Sequence, residues 1–412
     1  MNAFPMYRSL RRGPAACLLL LLLSSCSLAP WHSDKQAPPA PEPAPVVAAP
    51  PPLPVPMATH RFVLPEDGST VVGDVVTVEL TKDDTLPDIA RRFDVGYEEI
   101  VRANPGVDPW LPGAGRKVVV PTQFVLPNAP HEGIVINVAA MRVFYYPKRE
   151  AGKQAVVYTY PIGIGKVGWK TPEGTTRVTG KKKDPVWRPS AGLRKDKADE
   201  GDPVDAVVPA GPDNPLGKFE FVLGWPSYLI HGTNKPYGVG LRSSHGCVRL
   251  YPEDIEQLFS MTPIGTRVTV VNQPFVFGWH GDQLYLQPYT VLEDDPRNWQ
   301  KAQKTLLAKS LSTQIGKDLK KKSLQLDWEA VSAVTHQPRG LPVAVAGEIG
   351  TVDAVVANAP QVANRLPDGS NWSGDDGTAD AAGVQQLLSE QEPGPDAVPA
   401  SPGNGKTAKT GT

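Results

Sequence analysis

Hydrophobic and polar residues follow different patterns in different parts of the chain. Between residues 133 and 272, short apolar or alternating runs are separated by turns rich in Gly, Pro and Asn, which is typical of a β-sandwich or barrel. The runs are GIVINV, MRVFYY, AVVYTYPIGIG, FEFVL, SYLIHG and TRVTVV. One segment, YPEDIEQLFSM, instead has helical spacing, with Ile255, Leu258 and Phe259 on one face. The pattern predicts a β-rich domain with a few helices.

Residues 75–122 predict a small strand, helix, helix, strand unit. The strands VVTVEL and KVVVP enclose helical stretches around LPDIARRF and YEEIVRAN. Thr85 is placed to cap the first helix, with Pro87 in the first turn and Asp88 three residues after the cap. The predicted fold class is therefore multidomain, a β-rich domain plus a small βααβ domain.

The segments outside these two domains have simpler patterns. Residues 273–346 predict a hairpin, FVFGWH and LYLQPY around a Gly-Asp turn, followed by a basic helical extension. Residues 360–412 are rich in Gly, Asp, Pro, Ala and Ser, which predicts a disordered tail. Residues 26–58 are rich in proline and predict an extended tether. We expect the two domains to act separately, so that removing residues 75–121 would leave the chemistry of the β-rich domain intact.

The N-terminal residues 1–25 predict a secretory signal. Three arginines precede an apolar run that is shorter than the roughly 20 residues needed to span a bilayer. The run ends in Leu-Ser-Ser-Cys, which resembles the lipobox of bacterial lipoproteins, in which cleavage precedes a cysteine that becomes lipidated, here Cys26. Ser27 resembles the residue found in lipoproteins sent to the outer membrane. The resemblance implies a periplasmic, lipid-anchored protein at that membrane, and a soluble secreted protein cut nearby is the alternative.

Charge and cysteine content narrow the chemistry. Lys and Arg total 42 against 43 for Asp and Glu, a balance that argues against a nucleic-acid partner. Of the 3 cysteines, Cys17 would leave with the signal and Cys26 would carry lipid. Cys247 then has no intramolecular disulfide partner in an oxidising compartment, which predicts a reactive thiol. A buried, inert cysteine is the alternative.

The segment HGTNKPYGVGLRSSHGCVRL, residues 231–250, surrounds this thiol with groups that could activate it. A cysteine that acts as a nucleophile near neutral pH needs a base close by. His231, at the end of a predicted strand, is the favoured proton acceptor, whereas His245 is favoured as a residue that orients the loop or lines the oxyanion site. Gly246 permits a strained turn in which its amide and that of Cys247 point at one oxyanion.

Three further assignments concern the same segment. Arg249 offers a fork-shaped cation to a substrate carboxylate, and an ion pair with Glu253 at i+4 is the alternative. Ser244 is expected to form hydrogen bonds within the turn. Zinc ligation by the two histidines and the cysteine is disfavoured, because no fourth ligand lies at a short spacing. We expect no metal, nucleotide or other cofactor.

IHGTN followed by SHGCVRL resembles the signature of YkuD-type L,D-transpeptidases, and PIGIGKVGWKTPEG is similar to their Gly-rich segment. The resemblance, closest to the ErfK/YbiS-like branch, implies that Cys247 is the nucleophile, His231 the base and the Gly232 carbonyl the orienting group. It also implies acyl transfer from a peptidoglycan tetrapeptide stem, with release of D-alanine, to an amine of a second diaminopimelate or of a lysine in a small outer-membrane lipoprotein. An L,D-carboxypeptidase that uses water and a non-catalytic peptidoglycan-binding tether are the alternatives.

The stretch DDTLPDIARRFDVGYEEIVRANPGVDPWLPGAGRKVVVP resembles a LysM module. The resemblance implies binding to the N-acetylglucosamine backbone of peptidoglycan strands. A spacer domain that binds no glycan is the alternative.

Overall fold

The computed structural model describes residues 53–54, 60–199, 201–322, 324–367, 370, 372 and 381–389. Contacts divide the chain into two units, Met1–Pro51 and Pro52–Thr412, and every described residue belongs to the second. The predicted signal, Cys26 and nearly all of the predicted tether therefore lie outside the described residues. Within the described part of the chain, no helix combines the length and the apolar character needed to cross a membrane.

The small unit and its flanking segments form the first group of elements. They are β1 (Arg61–Val63), β2 (Val71–Gly73), β3 (Val76–Glu79), α1 (Leu86–Arg92), α2 (Tyr97–Ala103), β4 (Lys117–Val120) and β5 (Gln123–Val125). Strands β3 and β4 pair antiparallel, which confirms the predicted order of strands and helices. Helix α1 begins with the predicted capping box, in which Thr85 and Asp88 each accept a hydrogen bond from the other's backbone amide. We call β3 to β4 the small module.

The β-rich domain follows. Its elements are β6 (Gly133–Asn137), β7 (Arg142–Tyr146), β8 (Val156–Pro161), β9 (Ile164–Gly165), β10 (Gly174–Lys183), α3 (Ala191–Asp199), β11 (Phe219–Leu223), β12 (Leu229–His231), a 3₁₀ turn (Pro236–Gly238), β13 (Arg242–Ser244), β14 (Val248–Arg249), α4 (Pro252–Met261) and β15 (Arg267–Val271). A sheet with the order β1-β8-β7-β6-β15-β10-β11-β12-β14 runs through it. Ile255 and Leu258 of α4 pack against the apolar face of this sheet, so the predicted β-rich fold is confirmed.

Strand β10 and helix α3 lie in a segment where the sequence predicts no element. Val178 is fully buried, but most of the β10 side chains face solvent or are only partly covered. Helix α3 has no buried residue among those described. Neither element therefore has the apolar periodicity on which prediction from sequence depends.

The C-terminal elements are β16 (Phe275–His280), β17 (Gln283–Pro288), α5 (Gln300–Lys322), α6 (Trp328–His336), β18 (Val343–Ala346), α7 (Val352–Asn358), β19 (Gln361–Val362) and α8 (Ala381–Ser389). The predicted hairpin is confirmed as β16 and β17, with β18 added as a third antiparallel strand. Helices α5 and α6 cover its apolar face through Leu306, Ile315, Val331 and Val334.

The prediction of a disordered tail over residues 360–412 is wrong for two of its segments. Strand β19 pairs with β3 and extends the sheet of the small module. Helix α8 packs through the fully buried Val384 onto Tyr97 and Leu241. Both segments are ordered by contacts with residues far away in the chain, which local composition does not reveal. Residues 390–412 lie outside the described part.

The small module is inserted into the β-rich domain. Strand β1 precedes the module in the chain, yet it pairs with β8 in the large sheet. Strands β2 and β5, which flank the module, pair with each other and bring its two ends together. At the other end of the module, the first amides of α2 donate to the carbonyls of Val239 and Gly240, ahead of β13.

Buried ion pairs join the module to the β-rich domain. Arg91 of α1 binds Glu253 of α4 through two hydrogen bonds of 2.8 and 2.9 Å. Arg142 of β7, which is fully buried, donates to Glu99 of α2 at 2.8 Å. Deleting the module would leave charges without partners at this surface, which is costly. We therefore expect removal of residues 75–121 to affect the β-rich domain, contrary to the expectation from sequence.

Two buried carboxyl groups lie in the same interface. Asp94, which follows α1, and Asp254 of α4 are both buried, and both carboxylate oxygens of Asp94 and Oδ2 of Asp254 have no hydrogen-bond partner among the described residues. Ionisation is costly in such surroundings, so a carboxyl there keeps its proton to a higher pH. Burial is the main cause that raises the pKa of Asp94 to about 8 and that of Asp254 well above its usual range.

This proton predicts how stability depends on pH. The unfolded chain ionises both carboxyls below pH 7, whereas the folded pair keeps a proton until the pH rises through about 8. The folded state binds more protons between the unfolded pKa of about 4 and the folded pKa of about 8. The free energy of unfolding should therefore fall across this range, by up to about 1.4 kcal/mol per pH unit for one proton, and level off above about pH 8. Urea denaturation at several pH values measures this slope. Asp94→Asn removes the group whose pKa is raised to about 8 and should reduce the slope, and an equal slope in that variant would contradict the assignment.

Candidate active site

The register of two parallel strands brings His231 and Cys247 to one face of the large sheet. Strand β12 pairs with β14 so that Ile230 lies opposite Val248 and His231 lies opposite Arg249. Ile230 and Val248 point into the core, so the residues that alternate with them face the other way. The spacing between neighbouring strands and the rise along each strand place the Cα atoms of His231 and Cys247 about 8 Å apart. Two side chains on the same face can meet across this distance.

The His231 ring is held in one tautomer. Its Nδ1 atom lies 2.6 Å from the carbonyl oxygen of Gly232, and a carbonyl can only accept, so Nδ1 carries the proton and Nε2 remains an acceptor. The side chain is buried. Burial, and next the positive charge of Arg249, lower the pKa of His231 to about 3. The imidazole is therefore neutral at physiological pH and able to take a proton at Nε2.

Cys247 is the free cysteine of the described residues and is partly exposed. Its thiol donates toward the Ser227 carbonyl oxygen, 3.6 Å away. Burial raises the pKa of the Cys247 thiol, although Arg249 and a backbone hydrogen bond from Leu229 act in the opposite direction. The raised pKa of the Cys247 thiol and the lowered pKa of His231 both favour the neutral forms of the two groups.

Two domain families match the chain in the regions just described. The L,D-transpeptidase catalytic domain matches residues 131–270 and the LysM domain matches residues 79–121. The chain is 40% identical over 286 residues to the probable L,D-transpeptidase ErfK/SrfK of Salmonella typhimurium, covering 68% of this chain and 89% of that protein. The chain belongs to the L,D-transpeptidase family.

Two Escherichia coli relatives agree with this assignment. The probable L,D-transpeptidase YbiS is 47% identical over 214 residues, which cover 51% of this chain and 68% of that protein. The probable L,D-transpeptidase YcfS is 38% identical over 301 residues, which cover 71% and 90%. The resemblance noted in the sequence is therefore confirmed at the level of the family and of the LysM domain.

The turn of this transpeptidase that carries Cys247 is held by Ser244. The Gly246 amide donates to Ser244 Oγ at 3.2 Å, so the amide predicted to face an oxyanion already has an acceptor within the turn. Gly246 also contributes its backbone conformation. Its φ is +100°, and a Cβ atom there would lie 2.8 Å from Cε1 of Tyr228. Ser244 also donates to the Cys247 carbonyl at 2.6 Å, which is the turn hydrogen bonding expected of it.

His245 is held by a residue that the sequence analysis missed. Its Nε2 atom lies 2.7 Å from Oδ2 of Asp196 on α3, and the Nζ atom of Lys166 lies 3.3 Å from the same oxygen. The ring also meets Trp169 edge to face at 4.9 Å. Burial lowers the pKa of His245 and the Asp196 hydrogen bond offsets part of this effect. These contacts connect the loop that carries His245 to α3, which fits a role for His245 in orienting that loop.

Arg249 faces the cleft and does not form the ion pair with Glu253 that was the alternative expected from sequence. Glu253 is held by Arg91 at both carboxylate oxygens. Arg249 donates from Nη1 to Ser243 Oγ at 3.1 Å. The positive charge of Arg249 acts on the pKa of both His231 and Cys247.

A cleft of about 890 Å³ opens over these residues. His231, Ser244, His245, Cys247 and Arg249 all line it. Its other walls carry Trp169, Trp187, Trp225 and Tyr228, together with Leu387 from α8. The Cys247 thiol, the His231 imidazole and the Arg249 guanidinium thus share one aromatic-walled cavity that is large enough for a peptide. The tail helix contributes to this cavity although the sequence analysis placed it in a disordered segment.

Proposed function

We propose that this transpeptidase exchanges peptide bonds in peptidoglycan stem peptides through a thioester on Cys247. The observation that carries the proposal is that Cys247 and His231 line one cleft while the Gly232 carbonyl holds the imidazole with Nε2 as an acceptor. An activated nucleophile requires this arrangement of thiol, base and orienting group.

The first half-reaction acylates the enzyme. Cys247 Sγ attacks the carbonyl carbon of the third stem residue, a diaminopimelate, while His231 Nε2 takes the thiol proton. The tetrahedral intermediate then collapses, and the carbon–nitrogen bond to the terminal D-alanine breaks. His231 gives its proton to the departing amine, which leaves a thioester and a neutral imidazole. Arg249 provides a cation for a carboxylate of the donor stem.

The second half-reaction transfers the acyl group to an amine. His231 takes a proton from the incoming amine as it attacks the thioester, and that proton returns to the sulfur when the carbon–sulfur bond breaks. The amine comes from a second diaminopimelate, giving a cross-link, or from a lysine of a small outer-membrane lipoprotein, giving an anchor. No external energy source is needed, because one amide bond replaces another.

The proposed location is the periplasmic face of the outer membrane. Cys26 would carry the lipid, and residues 26–58 would form the tether. At about 3.1 Å per residue, such a tether reaches on the order of 100 Å. Strand β1 (Arg61–Val63), which follows the proposed tether in the chain, belongs to the catalytic sheet. The LysM domain would hold the enzyme on glycan strands while the tether limits its distance from the membrane.

A competition experiment tests the proposal and identifies the acceptor. The protein is incubated with tetrapeptide-stem muropeptides alone, with added diaminopimelate-containing acceptor, or with a lipoprotein-derived peptide ending in lysine. Mass spectrometry should detect released D-alanine and an amide product with one of the amines. A tripeptide product alone, formed equally in all three mixtures, would indicate a carboxypeptidase. No D-alanine in any mixture would indicate a non-catalytic tether.

A further inference from the structure

The carbonyl of Gly246 is fixed by a side chain from a distant loop. Thr171 Oγ1 donates to the Gly246 carbonyl oxygen at 3.0 Å and accepts from the Gly165 amide at 3.2 Å. The hydroxyl therefore uses both its donor and an acceptor site in one geometry. Gly165 allows this approach, since a Cβ atom on it would lie 1.8 Å from the Trp169 carbonyl oxygen and 3.0 Å from Gly246 Cα.

The other backbone groups of Gly246 and Cys247 also have hydrogen-bond partners, with one exception. Ser244 Oγ accepts from the Gly246 amide and donates to the Cys247 carbonyl. For the Cys247 amide, no acceptor is found within the described residues. Buried backbone amides are nearly always paired, so an amide left unpaired beside a nucleophile is available to a substrate oxygen.

Peptide geometry links the Thr171 hydrogen bond to the direction of that amide. The Gly246 carbonyl and the Cys247 amide belong to one planar trans peptide unit, in which C=O and N–H point in opposite directions. Holding the carbonyl toward Thr171 therefore turns the Cys247 N–H away from it. A hydrogen bond to the carbonyl oxygen also polarises the peptide and strengthens its N–H as a donor.

We propose that Thr171 is a positioning residue for the transpeptidase reaction, and that its hydroxyl aims the Cys247 amide at the oxyanion of the tetrahedral intermediate. The proposal rests on the function proposed above. It assigns the oxyanion contact of this turn to the Cys247 amide alone, because the Gly246 amide is engaged by Ser244. Thr171 is not among the residues that line the cleft around Cys247, so it would act through the Gly246–Cys247 peptide.

Two reactions of the same thiol separate this role from a general structural one. Acylation by a carbapenem develops an oxyanion on the attacked carbonyl, whereas exchange with the neutral disulfide 2,2′-dithiodipyridine develops none. Thr171→Val in the full chain should lower the acylation rate about 10- to 100-fold, somewhat less than outright removal of an oxyanion-hole donor. The loss should appear in the maximal rate more than in the half-saturating concentration. Disulfide exchange should remain within about twofold, because the sulfur and His231 are unchanged.

Thr171→Ser keeps the hydroxyl and should restore acylation to near the rate of the parent protein. A selective loss of acylation in Thr171→Val that serine restores supports the proposal. Equal losses in both reactions, or acylation unchanged in Thr171→Val, would overturn it. If the valine variant does not fold, Thr171→Ala provides the same comparison. Failure of the proposed function would look different, since the parent protein itself would then form no carbapenem adduct.

Discussion

Replacing Cys247 with alanine should abolish the covalent adduct that this protein forms with a carbapenem. The drug acylates the sulfur as a donor stem would, and the variant offers no atom in its place. Removing the nucleophile of such a catalytic unit typically costs at least about a thousandfold in rate. Intact-protein mass spectrometry after incubation should therefore show the unmodified mass for Cys247→Ala and a full mass shift for the parent chain.

A matched control is available in the same chain. Cys26→Ala replaces the cysteine proposed to carry the lipid, which lies far from Cys247 in the sequence, and should keep the full carbapenem adduct. The melting temperature of Cys247→Ala should stay close to that of the parent, because the thiol is partly exposed and its hydrogen bond to the Ser227 carbonyl oxygen is weak. An adduct that persists in Cys247→Ala would show that the nucleophile lies elsewhere.

Replacing Arg142 with alanine should destabilise the protein by about 3–5 kcal/mol, the usual cost of leaving one partner of a buried ion pair without the other. The Arg142 guanidinium is fully buried and reaches Glu99 Oε2 at 2.8 Å, Thr159 Oγ1 at 3.0 Å and the Asp94 carbonyl at 3.2 Å. Its loss leaves the buried Glu99 carboxylate without its cation. Urea denaturation should detect the change as a lower midpoint.

Two companion variants identify the cause. Arg149→Ala removes an exposed arginine and should change stability by less than about 0.5 kcal/mol. The double variant Arg142→Met and Glu99→Leu removes both charges at once and should recover much of the loss, because no lone charge stays buried. The stability losses of Arg142→Met and Glu99→Leu are also measured separately. If the double variant lost as much stability as the sum of these two, the ion pair would not be the source of the effect.

The chemistry of the site could be predicted from sequence to the extent that it is local. His231, Gly232 and Cys247 lie within one short segment, and the strand that ends at His231 is visible in the apolar pattern. Thr171 and Asp196 could not be assigned in the same way. Thr171 hydrogen bonds to Gly246, 75 positions away, and Asp196 hydrogen bonds to His245, 49 positions away. Neither bond has a periodic signal in the sequence.

The arrangement of the domains is the feature that sequence predicted least well. The helices and strands of the LysM domain follow from capping and apolar spacing, which are local properties. Its packing against the catalytic domain depends on four charged residues that look like ordinary surface charges in the sequence, namely Arg91, Glu99, Arg142 and Glu253. Charged residues in helices are usually solvated, so only the three-dimensional contacts reveal that these are buried.

The paired strands β2 and β5 also define how this protein could be re-engineered. They bring the two ends of the inserted domain to roughly one strand spacing, about 5 Å. A different carbohydrate-binding domain could be transplanted only with termini equally close together. The graft would also have to present an acidic side chain to Arg142 and a basic one to Glu253. A simple terminal fusion would satisfy neither demand, so new wall specificity is better sought by mutating the loops of the resident domain.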